Sequence, residues 1–372
     1  MNYNHPAIQN LTLIAVFIIA FFYLNSPFEE QKNDSLAREN KIVAEQKIIK
    51  PKIVRGIYLT ANSAGSDNFR KEIIASLKDS KINSVVIDIK DYSGYILYQS
   101  ELKELKDIDA VKATMPDLKK IITEFHAIGI YVIARQTVFQ DPVLALAKPE
   151  LAVSTKNGNI WYDNKGLAWV NPSKQEVWNY NLAIAKEAVN FGFDEINFDY
   201  MRYPSDGNMS NIYYDLPEGK NKSQVLADFF KFLSDNLSGQ AKISIDTFGL
   251  VLDHTGDDYD LGIGQILNSV VDHFDYVCPM MYPSHYPLTY LGYENSAEHP
   301  GEVIAYGLKI SHEAMLNKRA KLRPWLQAFN LRAIYDQNMI EAQEQAVENA
   351  TSTDGWILWN ARNYYPAYIF KK

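Results

Sequence analysis

The chain has a single cysteine, Cys278, in 372 residues. That excludes an internal disulfide and any cysteine cluster of the zinc or iron–sulfur kind. Seven histidines are scattered along the chain without a His-Glu-x-x-His spacing, so no metal is assigned from sequence. No glycine-rich phosphate loop follows the first strand candidate at Val54, which argues against a doubly wound dinucleotide-binding sheet and leaves no cofactor indicated. The net charge of −8 lacks the basic excess of a nucleic-acid binder, so no nucleic-acid partner is expected. No Lys or Arg precedes the apolar run Leu11–Leu24, and no small-x-small cleavage site follows it at Asn25-Ser26-Pro27-Phe28. Counted from Ala7, the run approaches the roughly 20 residues of a membrane helix. These features favour an uncleaved anchor over a secretory signal peptide. Glycine is missing from Glu29–Lys52, a charged stretch that reads as a tether.

The resulting plan has an anchor over residues 1–25, a tether over 26–52 and a globular domain over 53–372. The expected location is the cell membrane, single-pass, with the domain on the outer side, and secretion is the alternative. From Val54 onward apolar strand candidates alternate with helical patterns. The strands are Val54–Thr60, Ser84–Asp91, Ile130–Val138, Glu195–Arg202, Lys242–Gly249, Tyr276–Tyr282, Leu322–Phe329 and Gly355–Ala361. Helical spacing is clearest in Asp67–Lys81 and Met115–Ile128, and helices also fit Ser173–Asn190, Ser223–Leu237, Leu261–Val271, Gly301–Lys318 and Tyr335–Asn349. Repeated β-α units imply a parallel sheet, and eight of them predict an α/β fold, a (β/α)8 TIM barrel with loop insertions. The longer insertions follow strand two (Tyr92–Tyr98, hairpin-like) and strand three (Gln140–Pro172).

In such a barrel chemistry is done where the strands end. The fourth strand candidate closes with Asn197-Phe198-Asp199-Tyr200-Met201-Arg202, and alternation puts Asn197 and Asp199 on one face. Neighbouring tips supply Asp246, Asp88 with Lys90, Arg135, Tyr282, Gln327 and Trp359. Two carboxylates from separate strands suit glycosidic-bond cleavage, with one acid for the leaving oxygen and one nucleophile or base. Asp199 and Asp246 are therefore the catalytic candidates. Asp88, Arg135, Asn197, Arg202, Tyr282, Gln327 and Trp359 are the substrate-binding candidates, and the partner expected is a carbohydrate. Several have a structural counter-reading. Asp88 can pair with Lys90, Arg202 can be the partner of Asp199, and Trp359 can be core. Asp194 reads as a turn cap, and Glu195 is expected to face the helices.

Val54-Arg55-Gly56-Ile57-Tyr58, Val86-Ile87-Asp88-Ile89-Lys90-Asp91, the run Asp194–Pro204 and Asp354-Gly355-Trp356-Ile357-Leu358-Trp359 resemble a bacterial family of glycosyl hydrolase domains. The resemblance spans Val54 to Tyr365 and implies a glycosidase-type barrel. A more distant similarity is to family 18 glycoside hydrolases, whose fourth strand reads Asp-x-x-Asp-x-Asp-x-Glu. Asp194, Asn197 and Asp199 fall on the first three positions, and Met201 stands where that family has its catalytic Glu. Met280-Met281-Tyr282 resembles that family's sixth-strand Met-x-Tyr, and Trp359 its eighth-strand Trp. Asp199 on strand four with an acid on strand five also resembles the α-amylase arrangement, with Asp246 in place of Glu. The missing Glu motivates a second expectation, a catalytically silent glycan-binding barrel of the cell envelope. Met cannot protonate a leaving group.

Overall fold

The computed structural model describes residues 50–372. The expected anchor, and the tether as far as residue 49, lie outside the described residues. Among the described residues no helix is long and apolar enough to cross a membrane.

Eight parallel strands close into a barrel. They are β1 (Val54–Leu59), β2 (Ser84–Lys90), β3 (Tyr131–Thr137), β4 (Glu195–Asp199), β5 (Lys242–Phe248), β6 (Tyr276–Met281), β7 (Trp325–Gln327) and β8 (Gly355–Trp359). Each pairs with its sequence neighbours, and β1 pairs with both β8 and β2 to complete the ring. The strands read as continuous apolar runs because both faces are covered, one by helices and one by the barrel interior. The helices α1 (Asp67–Leu77), α2 (Leu118–His126), α3 (Gln175–Phe191), α4 (Lys222–Leu237), α5 (Leu267–Val270), α6 (Pro300–Ile310) and α7 (Gln337–Glu348) follow β1 to β7. Local chemistry sets their ends. Asn221 and Gln224 form a capping box on α4, Asp336 caps α7, and Gly192 at φ 107° closes α3 in the left-handed region.

Three departures from the expected elements have local causes. The fourth strand stops at Asp199 rather than Arg202, because Tyr200 takes φ 53° and turns the chain out of the sheet. The seventh is interrupted at Arg323-Pro324, so Lys321–Leu322 and β7 each pair separately with β6. Pro324 carries no N–H for a ladder. The helix expected over Leu261–Val271 contracts to α5, since Gly262 and Gly264 at φ 71° and 84° hold the preceding segment in turns.

The first insertion extends the barrel sheet, and the second forms a two-stranded sheet of its own. Ile96–Tyr98 runs antiparallel to β2, and Val111–Met115 lies parallel to Ile96–Tyr98. The loop after β3 carries the helix Pro142–Ala147. Its segment Ser154–Thr155 pairs with Ile212–Tyr213 from the loop after β4. The Trp161 indole also donates to the Asn208 carbonyl at 3.0 Å, so these two loops support each other.

Register settles which side chains enter the barrel. Glu195 does not face the helices. It shares the parity of Asn197 and Asp199 and points inward, fully buried. There Arg323 donates to it at 2.6 Å, Ser244 at 2.6 Å and Tyr131 at 3.2 Å. This network lies toward the strand starts, away from the mouth. Asp194 caps the turn before β4, accepting from the Val132 N–H at 2.8 Å and lying 2.9 Å from His126 Nε2. Lys90 does not pair with Asp88. It lies in a buried ion pair with Asp141 at 2.7 Å, under the insertion after β3.

Candidate active site

The C-terminal ends of β2, β3, β4 and β5 bring three carboxylates around one guanidinium. Arg135 on β3 donates through Nη1 to Asp88 at 2.8 Å and through Nε to Asp246 at 3.3 Å, and it is ion-paired through Nη2 with Asp199. The pairing Asp88↔Arg135 and Arg135↔Asn197 places these residues at one height on adjacent strands. Asp88, Asp199 and Asp246 are 4%, 4% and 1% exposed, so solvent does little to screen them. Each has further donors. The Tyr58 hydroxyl donates to Asp88. Asn197 Nδ2 and the Trp325 indole N–H reach Asp246 Oδ1 at 2.9 and 2.7 Å. The Tyr200 N–H reaches Asp199 Oδ1 at 2.6 Å. Tyr200 makes that contact from its left-handed backbone, a conformation that is costly for a bulky side chain.

Three carboxylates and one cation in a buried space favour a retained proton. Burial raises Asp246 to about 7, the adjacent Asp199 charge adds to the shift, and Arg135 opposes it. Burial also raises Asp88, again against Arg135. Burial works against the Arg135 charge, yet Asp199, Asp88 and Asp246 together hold its pKa well above the ordinary value.

Aromatic rings stand beside the acids. Trp359 stacks on Tyr58 with centroids 6.1 Å apart and lies 5.6 Å from Tyr282 and 5.2 Å from Phe329. His285 completes the cluster, 5.5 Å from the Tyr282 ring, with its pKa lowered by burial. Among the described residues no group of three or more His, Cys, Asp or Glu is arranged to hold a metal ion.

The residues singled out from sequence thus divide. Asp88, Arg135, Asn197, Asp199 and Asp246 converge, with Tyr282 and Trp359 in the adjoining aromatic cluster. Asn197 orients Asp246. Gln327 is buried, accepts from the Ser284 N–H at 3.1 Å and donates to the Phe329 carbonyl at 2.9 Å. Its amide ties down loops. Arg202 is not the partner of Asp199; that cation is Arg135. Met201 is fully buried in the core. Sequence reading missed Tyr58 and Trp325. Trp325 shares the parity of Gln327 on its strand, and Tyr58 lies two positions after Gly56 on β1, so strand alternation could have flagged both.

Residues 56–365 match a family model described as "Putative glycosyl hydrolase domain". Solved structures similar to the chain include a hypothetical protein from Ruminiclostridium thermocellum ATCC 27405. It is 38% identical over 51% of this chain and 96% of its own, with a TM-score of 0.48. The glycoside hydrolase domain of PgaB (BpsB) from Bordetella bronchiseptica is 14% identical, covering 86% of this chain and 99% of its own, with a TM-score of 0.61. The endo-1,4-beta-D-mannanase of Thermotoga petrophila RKU-1 is 13% identical, over 87% and 95%, with a TM-score of 0.55. At these identities the last two likenesses are of fold. No curated protein matches the chain.

Proposed function

The chain belongs to this family of glycosyl hydrolase domains, and on that premise we propose that it cleaves an O-glycosidic bond in a polysaccharide or cell-wall glycan. One observation carries the reading. Buried carboxylates from β2, β4 and β5 share the Arg135 guanidinium at the mouth of a parallel barrel. Desolvation beside another acid raises Asp246 to about 7, a value that suits a group that protonates the glycosidic oxygen. Asp199 accepts from the Arg135 guanidinium and a main-chain N–H, donors that suit an anion. It acts on the opposite side of the reacting centre, as nucleophile at the anomeric carbon or as base toward water. Arg135 keeps that charge in place, and Asn197 with Trp325 fixes the Asp246 carboxyl. Trp359, the half-buried ring of the cluster, offers a face for the sugar ring, and Tyr58 and Tyr282 pack behind it.

The test is turnover on a panel of neutral and acidic glycans with wild type and Asp199→Asn. We expect cleavage by wild type and a loss of about 10³-fold or more in the variant, with the cooperative fold kept because Asn can still accept from Arg135 and the Tyr200 N–H. Unimpaired turnover in Asp199→Asn would rule out this assignment. A second reading is favoured by Met201, buried where family 18 enzymes place their acid, namely a glycan-binding barrel without turnover. Saturable binding of the same glycans with no product from wild type would establish it.

A further inference from the structure

Arg202 follows Asp199 by three residues and lies inside a box of rings. Its guanidinium carbon is 5.0, 5.1 and 4.8 Å from the ring centres of Trp169, Tyr200 and Phe248. These rings come from the loop after β3, from the residue following β4 and from the end of β5, so the box stands at the same barrel mouth as the acids. Nη1 donates to the Tyr203 carbonyl at 3.1 Å and to Ser205 Oγ at 3.2 Å. Nε and Nη2 have no acceptor among the described residues, and the side chain remains partly exposed.

This is an expensive arrangement for a chain with net charge −8. Burial lowers the Arg202 pKa, and rings offset only part of the cost of a desolvated cation. A cation held for fold stability alone would be expected to take a carboxylate partner, as Arg135 and Arg323 do. Nε–H and Nη2–H instead leave one planar edge of the fork open. That edge matches the two coplanar oxygens of a carboxylate.

We infer that Arg202 and its ring box form a subsite for a sugar carboxylate, which makes the substrate an acidic glycan bearing uronic acid or a similar carboxyl substituent. The inference rests on the reading of the mouth as a glycan-cleaving site and specifies its substrate class. The cation–ring contacts hold the guanidinium plane, so the carboxylate meets a pre-set fork at little ordering cost.

Binding separates this inference from the catalytic one. Full-length Asp199→Asn is titrated calorimetrically with oligosaccharides of galacturonate, glucuronate and alginate, with their methyl esters, and with sulfated galactan. At least one carboxylated glycan should bind about tenfold or more tightly than its ester, as expected for a charge-assisted fork. That preference should vanish in the added substitution Arg202→Gln and survive in part in Arg202→Lys. The ester comparison needs no change at Arg202, so it holds even if Arg202→Gln fails to fold. Equal affinity for acid and ester, tighter binding of the sulfated glycan, no binding of any acidic glycan, or a preference that persists in Arg202→Gln each overturns the inference. Cleavage of a neutral glycan by wild type alongside any of those results would leave the glycosidase reading intact.

Discussion

Arg135→Met removes the one cation shared by Asp88, Asp199 and Asp246 and keeps the length of an unbranched side chain. The guanidinium makes three carboxylate contacts, at 2.8 Å to Asp88, at 3.3 Å to Asp246 and to Asp199. Each carboxylate is under 6% exposed at its side chain, so water cannot replace the lost partner. Breaking a buried pair by deleting one partner costs about 3–5 kcal/mol. For a domain of this size that lowers the melting temperature by roughly 6–10 °C, taking about 2 °C per kcal/mol. The loss should depend on pH, with a definite sign. Asp246 and Asp88 have folded pKa values raised above the unfolded value, so their favourable contribution is fully present below the unfolded pKa of 3.8. It is lost as pH rises through the folded pKa, which is about 7 for Asp246. Without Arg135 these values rise further, and ionising the cluster becomes harder. The deficit relative to wild type should therefore be larger at pH 8 than at pH 5. Urea melts at the two pH values measure it. A deficit below about 1 kcal/mol, or one equal at both pH values, would refute the reasoning that Arg135 is the cluster's counter-charge.

If Asp246 is the acid, kcat/KM should fall about tenfold per pH unit above roughly 7. Asp246→Asn should abolish that alkaline limb, and a substrate whose leaving group needs no proton should be much less affected in this variant. An unchanged limb in Asp246→Asn would move the acid elsewhere. Lys90→Met strands the buried Asp141 and should cost about 3–5 kcal/mol in chemical denaturation without altering the pH profile of activity. A cost within experimental error would show that the pair is solvated. The run Leu11–Leu24 should keep the full-length protein in the membrane fraction, with the barrel accessible from outside the cytoplasmic membrane. Soluble protein, or a mature chain starting after Ser26, would contradict the anchor.

Much of this protein follows from its one-dimensional pattern. Strand and helix patterns alternating from Val54 to Trp359 leave an eightfold parallel barrel as the simplest way to bury every apolar face. Carboxylates at the ends of apolar strands, Asp199 and Asp246 among them, stand out because nothing in a strand interior calls for them. What sequence spacing does not carry is partnership across strands. Asp88 could have met Lys90 two residues away, yet register sets it beside Arg135, 47 positions on, and sends Lys90 to Asp141. Arg202 is near Asp199 in sequence, but the turn at Tyr200 directs it into a ring box and leaves Asp199 to Arg135. Glu195 reads from the chain as a helix-facing residue, and only the closed barrel supplies it with Arg323, 128 positions on, from the break in the seventh strand. Local periodicity determines which elements form because it depends on neighbours in the chain. Charge pairing and proton affinity depend on distance and burial in space, and those exist only once the ring of strands has closed.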